Sequence, residues 1–387
     1  MDIVRRFEVR AVDASTLGSL ATELRVAAPA RSIGCEVESV DEPPLLKVRL
    51  TGDAVAVSAV ASIAETFPGT SMRHDVLKLA DPGAAPSYPD RKQLLRMDAH
   101  LAGGPMRSGG AGGAGEDPEV ADVTVAIVDT GMMIAHPDLA NNVWTRVIGG
   151  RNVYGFRCIN GIRDNDVTDE DGHGTQLAGT VLAGANQSLT VKLMPLKYCD
   201  GSTRPAAANA ARCIDLAVNY GADIILLSFD VGIPDAALEQ AITDAAAAGL
   251  LIVIAAGNDG TDNDRFPSVP SCYAAAHPDN AIVVMATDRF DERASFSNYG
   301  SATVNIAAPG VRIRTTTPFL SDPSKGDRVY SGTSAAAAHV AGVAALYKSH
   351  HPKVSTGDMK RHLLGAVKTF GDRLKCTSRG RLDIGKV

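Results

Sequence analysis

Five apolar runs restrict the folds open to this chain more than any other feature: VTVAIVD (123–129), VKLMPLK (191–197), ADIILLSFD (222–230), LLIVIAAGN (250–258) and NAIVVMATD (280–288). They are nearly continuous in apolar character rather than alternating, the pattern of a strand covered on both faces. Between and after them stand alanine-rich stretches with helical spacing at 173–183, 206–219, 236–248 and 335–350. That order predicts an α/β fold, a mostly parallel sheet with helices on both faces and right-handed crossovers. In such a sheet the active crevice lies beyond the carboxyl ends of the strands, so polar residues at those ends carry the functional reading.

The first 80 residues follow another rhythm. Strand-like alternation at 6–12, 33–40, 45–50 and 72–79, with helical spacing at 16–28 and 54–67, gives βαββαβ, a small α+β domain of ferredoxin-like order. Residues 81–122 change composition. ADPGAAPSYPD and GGPMRSGGAGGAGEDPE are linker-like, with a short helix predicted at 91–101. GAGGAG at 110–115 formally matches a dinucleotide-binding glycine motif, but no strand precedes it and Pro118 follows, so that site is rejected. The expected domains are therefore 1–80, a linker with the start of the second domain near 89, and a large domain over 123–387.

Charge and cysteines narrow the partners. The formal net charge of −6 argues against a nucleic-acid or anionic-membrane partner, and no apolar stretch has the length of a membrane-spanning helix. The opening MDIVRRFEVRAVD lacks the apolar core of an export signal, which makes a cytoplasmic protein the expectation, or a secreted one if a signal has been trimmed. The six cysteines form no CxxC pair, so zinc is not expected and free thiols are.

Four polar residues stand where the sheet should gather them. Asp129 ends the first apolar run, His173 opens a helix after the acidic loop DNDVTDEDG, Asn258 ends the fourth run, and Ser334 enters a helix after Gly332 and Thr333. Each alone has an ordinary reading: a turn residue, a helix cap, a left-handed asparagine. At the first helical turn a serine hydroxyl lies near unpaired backbone N–H groups and the positive end of the helix dipole. That place suits an N-cap, and it also suits a nucleophile whose transition state carries an oxyanion. Together the four types fit acyl transfer: a hydroxyl activated by an imidazole that a carboxylate orients, with an amide N–H for the oxyanion.

At these residues the chain resembles the subtilisin family of serine proteases. VDTGMMIAHPDL, DGHGTQLAGT, AAGN and SGTSAAAAHVAG are similar to its aspartate, histidine, asparagine and serine boxes, from about residue 89 to 350. The chain order Asp, His, Ser is that of subtilisin, as is an asparagine oxyanion donor. The resemblance implies an endopeptidase with Asp129, His173 and Ser334 as triad and Asn258 beside them. Substrate would pair with Ser228, Phe229, Asp230 and Gly257, opposite an edge formed by 198–202. It also implies a monomer acting on proteins or peptides without a required cofactor, and a zymogen whose N-terminal domain is its own intramolecular inhibitor. Residues 77–84 would be the inhibitory tail, with cleavage between 80 and 88.

The chain departs from the pattern at several places. Ala335 and Ala338 replace the methionine and proline usual after the serine, and Gln176 replaces a second histidine. Asp230 replaces a glycine, which points to a basic residue before the scissile bond. Asp138 matches a structural-calcium ligand, but the stretch 183–193 is shorter than the family's calcium loop. The acidic residues at 164–171 read as a solvated loop. The competing reading is a catalytically silent relative that binds peptides. A serine esterase is disfavoured because the GxSxG elbow is absent.

Overall fold

The computed structural model describes residues 120–159, 161–200, 206–318 and 329–387, together with four strands among residues 2–73. The chain divides into two compact units, one of residues 1–88 with 265–268 and the other of 89–264 and 269–387. In the first unit the described strands are β1 (Asp2–Ala11), β2 (Gly34–Val40), β3 (Leu45–Asp53) and β4 (Thr70–Arg73). They form a sheet of order β2-β3-β1-β4, with every pair antiparallel. The helices expected at 16–28 and 54–67, the linker at 81–119 and the glycine-rich motif lie outside the described residues.

The second unit opens with β5 (Val123–Asp129) and a small ribbon, β6 (Arg146–Ile148) with β7 (Arg151–Val153). Then come β8 (Phe156–Ile159), β9 (Ile162–Asp164), helix α1 (His173–Gly184) and β10 (Val191–Lys197). Helix α2 (Ala207–Asn219), β11 (Ile224–Leu227), α3 (Ala236–Ala247), β12 (Leu251–Ala255) and β13 (Ala281–Thr287) continue the alternation. The chain closes with β14 (Ile306–Pro309), β15 (Ile313–Arg314), β16 (Val329–Tyr330), α4 (Thr333–His350), α5 (Thr356–Gly365), β17 (Val367–Thr369) and β18 (Gly380–Leu382). Ten strands make one sheet, ordered β17-β18-β14-β13-β12-β11-β5-β10-β8-β9. Its pairs are parallel from β18 through β8, and only the rim pairs β17 with β18 and β8 with β9 are antiparallel.

The continuous apolar runs are explained by burial on both faces. On β5, Val123, Val125 and Ile127 enter a core with α1 and α4, while Ala126 and Val128 enter a second core with α2 and α3. Successive side chains of a strand point to opposite faces, so each face needs its own apolar set. Helix α4 is buried nearly all round, with Ala335, Ala336, Ala337 and Ala338 fully enclosed. Alanine lets it approach α1 closely, and at Gly342 even a methyl group is too much: a Cβ there would stand 2.0 Å from the Val181 carbonyl oxygen.

Two runs make shorter strands than their composition predicts. Pairing stops at Leu227 and Ala255, and the residues after them leave the sheet at its carboxyl end. Gly257, at φ +106°, cannot continue a strand. The segments the apolar pattern overlooks, β14, α5 and the rim strands, are short or polar.

One buried group ties this fold to pH. His339 in α4 is 2% exposed and pairs its Nδ1 with the Pro309 carbonyl oxygen at 3.0 Å. Burial pushes its pKa down to about 4 from 6.5. The unfolded chain therefore takes up this proton before the folded one, so stability present above pH 6.5 is lost as the pH falls toward 4. The expected loss is roughly 3 kcal/mol from this group. Urea unfolding of the Ser334→Ala chain with and without His339→Gln measures it. The difference between the two should shrink as the pH falls, and a constant difference would refute the assignment.

Candidate active site

Asp129 is the last residue of β5 and is 2% exposed. Its Oδ1 lies 2.8 Å from Nδ1 of His173 and accepts the Thr130 N–H at 2.8 Å. His173 is the first residue of α1, so a strand end and a helix start must meet almost backbone to backbone. Gly174 makes that approach feasible, because a Cβ on it would stand 2.1 Å from the Gly131 carbonyl oxygen. The glycines of the DTG and HGT motifs are thus a packing requirement of the carboxylate–imidazole pair.

A second buried carboxylate, Asp169 at 5% exposure, braces the same corner. Its Oδ1 accepts the Thr130 hydroxyl at 2.9 Å and the Gly172 N–H at 2.8 Å; its Oδ2 accepts the Thr175 N–H at 2.8 Å and the Thr175 hydroxyl at 2.5 Å. The Thr130 oxygen in turn accepts the Gly174 N–H at 2.9 Å. The reading of 164–171 as a solvated acidic loop holds for the exposed Asp166, Glu170 and Asp171 and is corrected at Asp169, which is enclosed. Glu170 reaches from the surface to the buried Lys197, and Asp164 pairs with Arg157. An acidic residue just before a helix can serve its orphan N–H groups, a signal the sequence offers but which charge counting obscures.

Asn258 follows the end of β12 and is half-buried. Its Oδ1 accepts both the N–H of Thr333 at 2.8 Å and the Thr333 hydroxyl at 3.0 Å. The Thr333 oxygen also accepts the Gly257 N–H at 3.2 Å. With its oxygen anchored twice, the amide must present its NH₂ the other way. Ser334 is the second residue of α4 and is 5% exposed. A first-turn N–H has no intrahelical acceptor, so the Ser334 backbone supplies a second donor to this corner.

The structure pairs the four expected residues two by two, Asp129 directly with His173 and Asn258 with Thr333, the residue before Ser334. It does not place the Ser334 hydroxyl on the imidazole. That hydroxyl donates to the Ser228 carbonyl at 3.2 Å, and Nε2 of His173 instead faces the hydroxyl of Tyr330 at 2.8 Å. Tyr330 was not among the expected site residues; its only sequence signal is an aromatic residue directly before the serine box. Burial opposes the imidazolium of His173, but the Asp129 carboxylate and the Tyr330 oxygen outweigh it. The pKa is held well above the ordinary value of 6.5.

The expected substrate residues run on from β11. Phe229 packs on the buried Tyr198 with ring centroids 4.7 Å apart, and Asp230 accepts the Gly232 N–H at 2.6 Å. Val231 continues the segment by donating to the Val269 carbonyl at 3.1 Å. Residues 201–205 of the opposing edge lie outside the described residues. Asn142 donates its side-chain amide to the carbonyls of Ser188 at 2.7 Å and Val191 at 2.8 Å, tying the segment after the calcium candidate Asp138 to the loop before β10. Among the described residues no three His, Cys, Asp or Glu side chains gather to hold a metal. Cys158, Cys199, Cys213, Cys272 and Cys376 are free thiols, and no described helix is long and apolar enough to cross a membrane.

Comparison with known proteins places the chain in a family. A family model described as the subtilase family matches residues 121–378. Subtilisin BL of Lederbergia lenta is 36% identical over 256 residues, 64% of this chain and 84% of that protein. Thermitase of Thermoactinomyces vulgaris is 34% identical over 275 residues, 68% of this chain and 87% of that protein. Alkaline elastase YaB of Bacillus sp. (strain YaB) is 35% identical, and the match spans 65% of this chain but 60% of the elastase. A crystal structure of a cold-adapted subtilisin-like serine proteinase superposes with a TM-score of 0.53 at 26% identity, covering 68% of this chain and 88% of that one. A lanthipeptide protease does so with a TM-score of 0.56 at 25% identity, covering 68% and 86%. The chain belongs to the subtilase family, the serine endopeptidases of subtilisin type.

Proposed function

We propose that the chain hydrolyses peptide bonds through an acyl-enzyme on Ser334. The observation that carries this is the buried Asp129 carboxylate 2.8 Å from Nδ1 of His173, at the same crevice as a serine in the first turn of α4. Ser334 Oγ turns from Ser228 to Nε2 of His173, gives up its proton and attacks the substrate carbonyl. Asp129 stabilises the imidazolium that forms, as a carboxylate in a triad does without itself taking the proton. Nδ2 of Asn258 and the N–H of Ser334 donate to the oxyanion. His173 then protonates the departing amine, and a water deprotonated by the same nitrogen hydrolyses the ester.

A fluorophosphonate applied to the full chain tests the reading. Labelling at Ser334, lost when His173 is replaced by alanine, is the expected result. A folded chain that stays unlabelled would instead be a silent peptide-binding relative.

The finer reading is a zymogen with a basic preference. The four-stranded antiparallel unit ahead of the linker supports an inhibitory N-terminal domain, cut between residues 80 and 88. Mass spectrometry of the purified chain over time should show that cut, and Ser334→Ala should abolish it. Asp230 supports arginine or lysine before the scissile bond, since a charge-assisted hydrogen bond discriminates by about 1.5–3 kcal/mol. Asp230→Asn should therefore lower kcat/KM for arginine peptides relative to leucine peptides by roughly 10- to 100-fold. A peptide library cleaved only after large apolar residues by the parent chain would sink the preference.

A further inference from the structure

The imidazole of His173 is held at both nitrogens. Nδ1 faces Asp129 and Nε2 faces the Tyr330 hydroxyl, each at 2.8 Å. The phenol ring meets the imidazole edge-on, with centroids 5.4 Å apart and planes at 79°. Its hydroxyl also lies over Gly332, where a Cβ would stand 3.0 Å away. The nucleophile is engaged as well, since the Ser334 hydroxyl donates to Ser228 at 3.2 Å. A neutral imidazole has one acceptor nitrogen, and Nε2 cannot take the proton of Ser334 while the tyrosine hydroxyl occupies it.

We propose that Tyr330 is a latch on the general base, holding the empty site inactive until a substrate that fills the space beside His173 displaces the phenol. This rests on the endopeptidase reading above. The backbone under the latch is pinned: Tyr330 pairs with Ile313 in the β15–β16 ribbon, and the next residue, Ser331, accepts the Arg312 N–H at 2.8 Å. Opening therefore needs only the side chain to turn. The phenol serves either protonation state, donating to neutral Nε2 or accepting from Nε2–H. Among the described residues, the titratable groups facing His173 are Asp129 from β5, Tyr330 from β16, and Asp171, which accepts the His173 backbone N–H at 3.2 Å from the loop before α1. Asp169 stands behind them through Thr130. The Asp129 carboxylate and the Tyr330 oxygen favour the imidazolium, so removing the tyrosine oxygen withdraws one of its supports.

Tyr330→Phe keeps the ring and removes the latch. Two measurements on the full chain read its effect. The first is the NMR titration of the His173 imidazole in Ser334→Ala with and without Tyr330→Phe. The second is the rate of fluorophosphonate labelling across pH with Ser334 intact. With Tyr330→Phe, His173 should titrate at lower pH, and labelling should accelerate by about two- to tenfold, the worth of one net hydrogen bond. Tyr330→Leu should move both in the same direction. An unchanged titration overturns the latch, as does a lowered titration with labelling rates equal at every pH. If neither chain labels while the titration still responds, the endopeptidase reading has failed and takes the latch with it.

Discussion

Ser334→Ala and His173→Ala should each lower kcat by on the order of 10⁶-fold, and the double substitution should cost little more than either alone. The magnitude is the one known for subtilisin itself and is carried to this chain by its membership of the family. Non-additivity follows because the imidazole has no proton to take once the hydroxyl is gone. Asp129→Asn should cost less, on the order of 10⁴-fold, since it leaves the nucleophile and base in place but mis-sets the imidazole tautomer. In this chain Oδ1 of Asp129 accepts both the Thr130 N–H and the His173 ring, so no orientation of an asparagine amide serves Thr130 and supplies the lost charge together. Active-site-titrated kcat on a peptide substrate measures all three. A Ser334→Ala chain keeping even a hundredth of the parent rate would remove Ser334 from the chemistry.

How far the sequence spoke for the site depends on what kind of signal each residue gives. Asp129 and Lys197 were legible as strand ends because a charge terminates an apolar run, and β5 and β10 stop at those residues. Ser228 and Asn258 sit past the ends of shorter strands than expected, and for Asn258 apolar composition does not reveal where Gly257 turns the backbone out of the sheet. Asp169 was illegible for a different reason. Its neighbours Asp166, Glu170 and Asp171 made it one acidic residue among several, whereas its burial depends on Thr130 and Thr175 arriving from separate segments. Tyr330 lies in no motif, and only the fold brings its hydroxyl to a histidine far away in the chain. Local pattern thus identifies strands, helix starts and the residues at their ends. Which donors and acceptors then meet is set by sheet order, and that no local pattern carries.

The second large effect concerns Asn258, where Asn258→Ala should lower kcat by about 10²–10³-fold with KM nearly unchanged. That range is measured on the equivalent feature of subtilisin, so the family supplies the magnitude and this chain's geometry supplies the reason. The Asn258 carbonyl oxygen is taken by both donors of Thr333, which leaves Nδ2 as the part of the amide assigned, under the proposed function, to the oxyanion with the N–H of Ser334. A donor aimed at the tetrahedral oxyanion strengthens only as charge develops, which is why kcat should move and KM should not. The same geometry yields a more specific result. Thr333→Val deletes the 3.0 Å hydroxyl contact and the acceptor for Gly257, but keeps the backbone N–H at 2.8 Å. The amide is then held by one bond instead of two, and kcat should fall by about tenfold or less, the worth of a single hydrogen bond. In Asn258→Ala the hydroxyl of Thr333 no longer has an amide to orient, so adding Thr333→Val to that background should change kcat hardly at all. Equal effects of Thr333→Val in both backgrounds would show that Thr333 acts on the helix start and not through the amide, and Asn258 would then lose its anchored role.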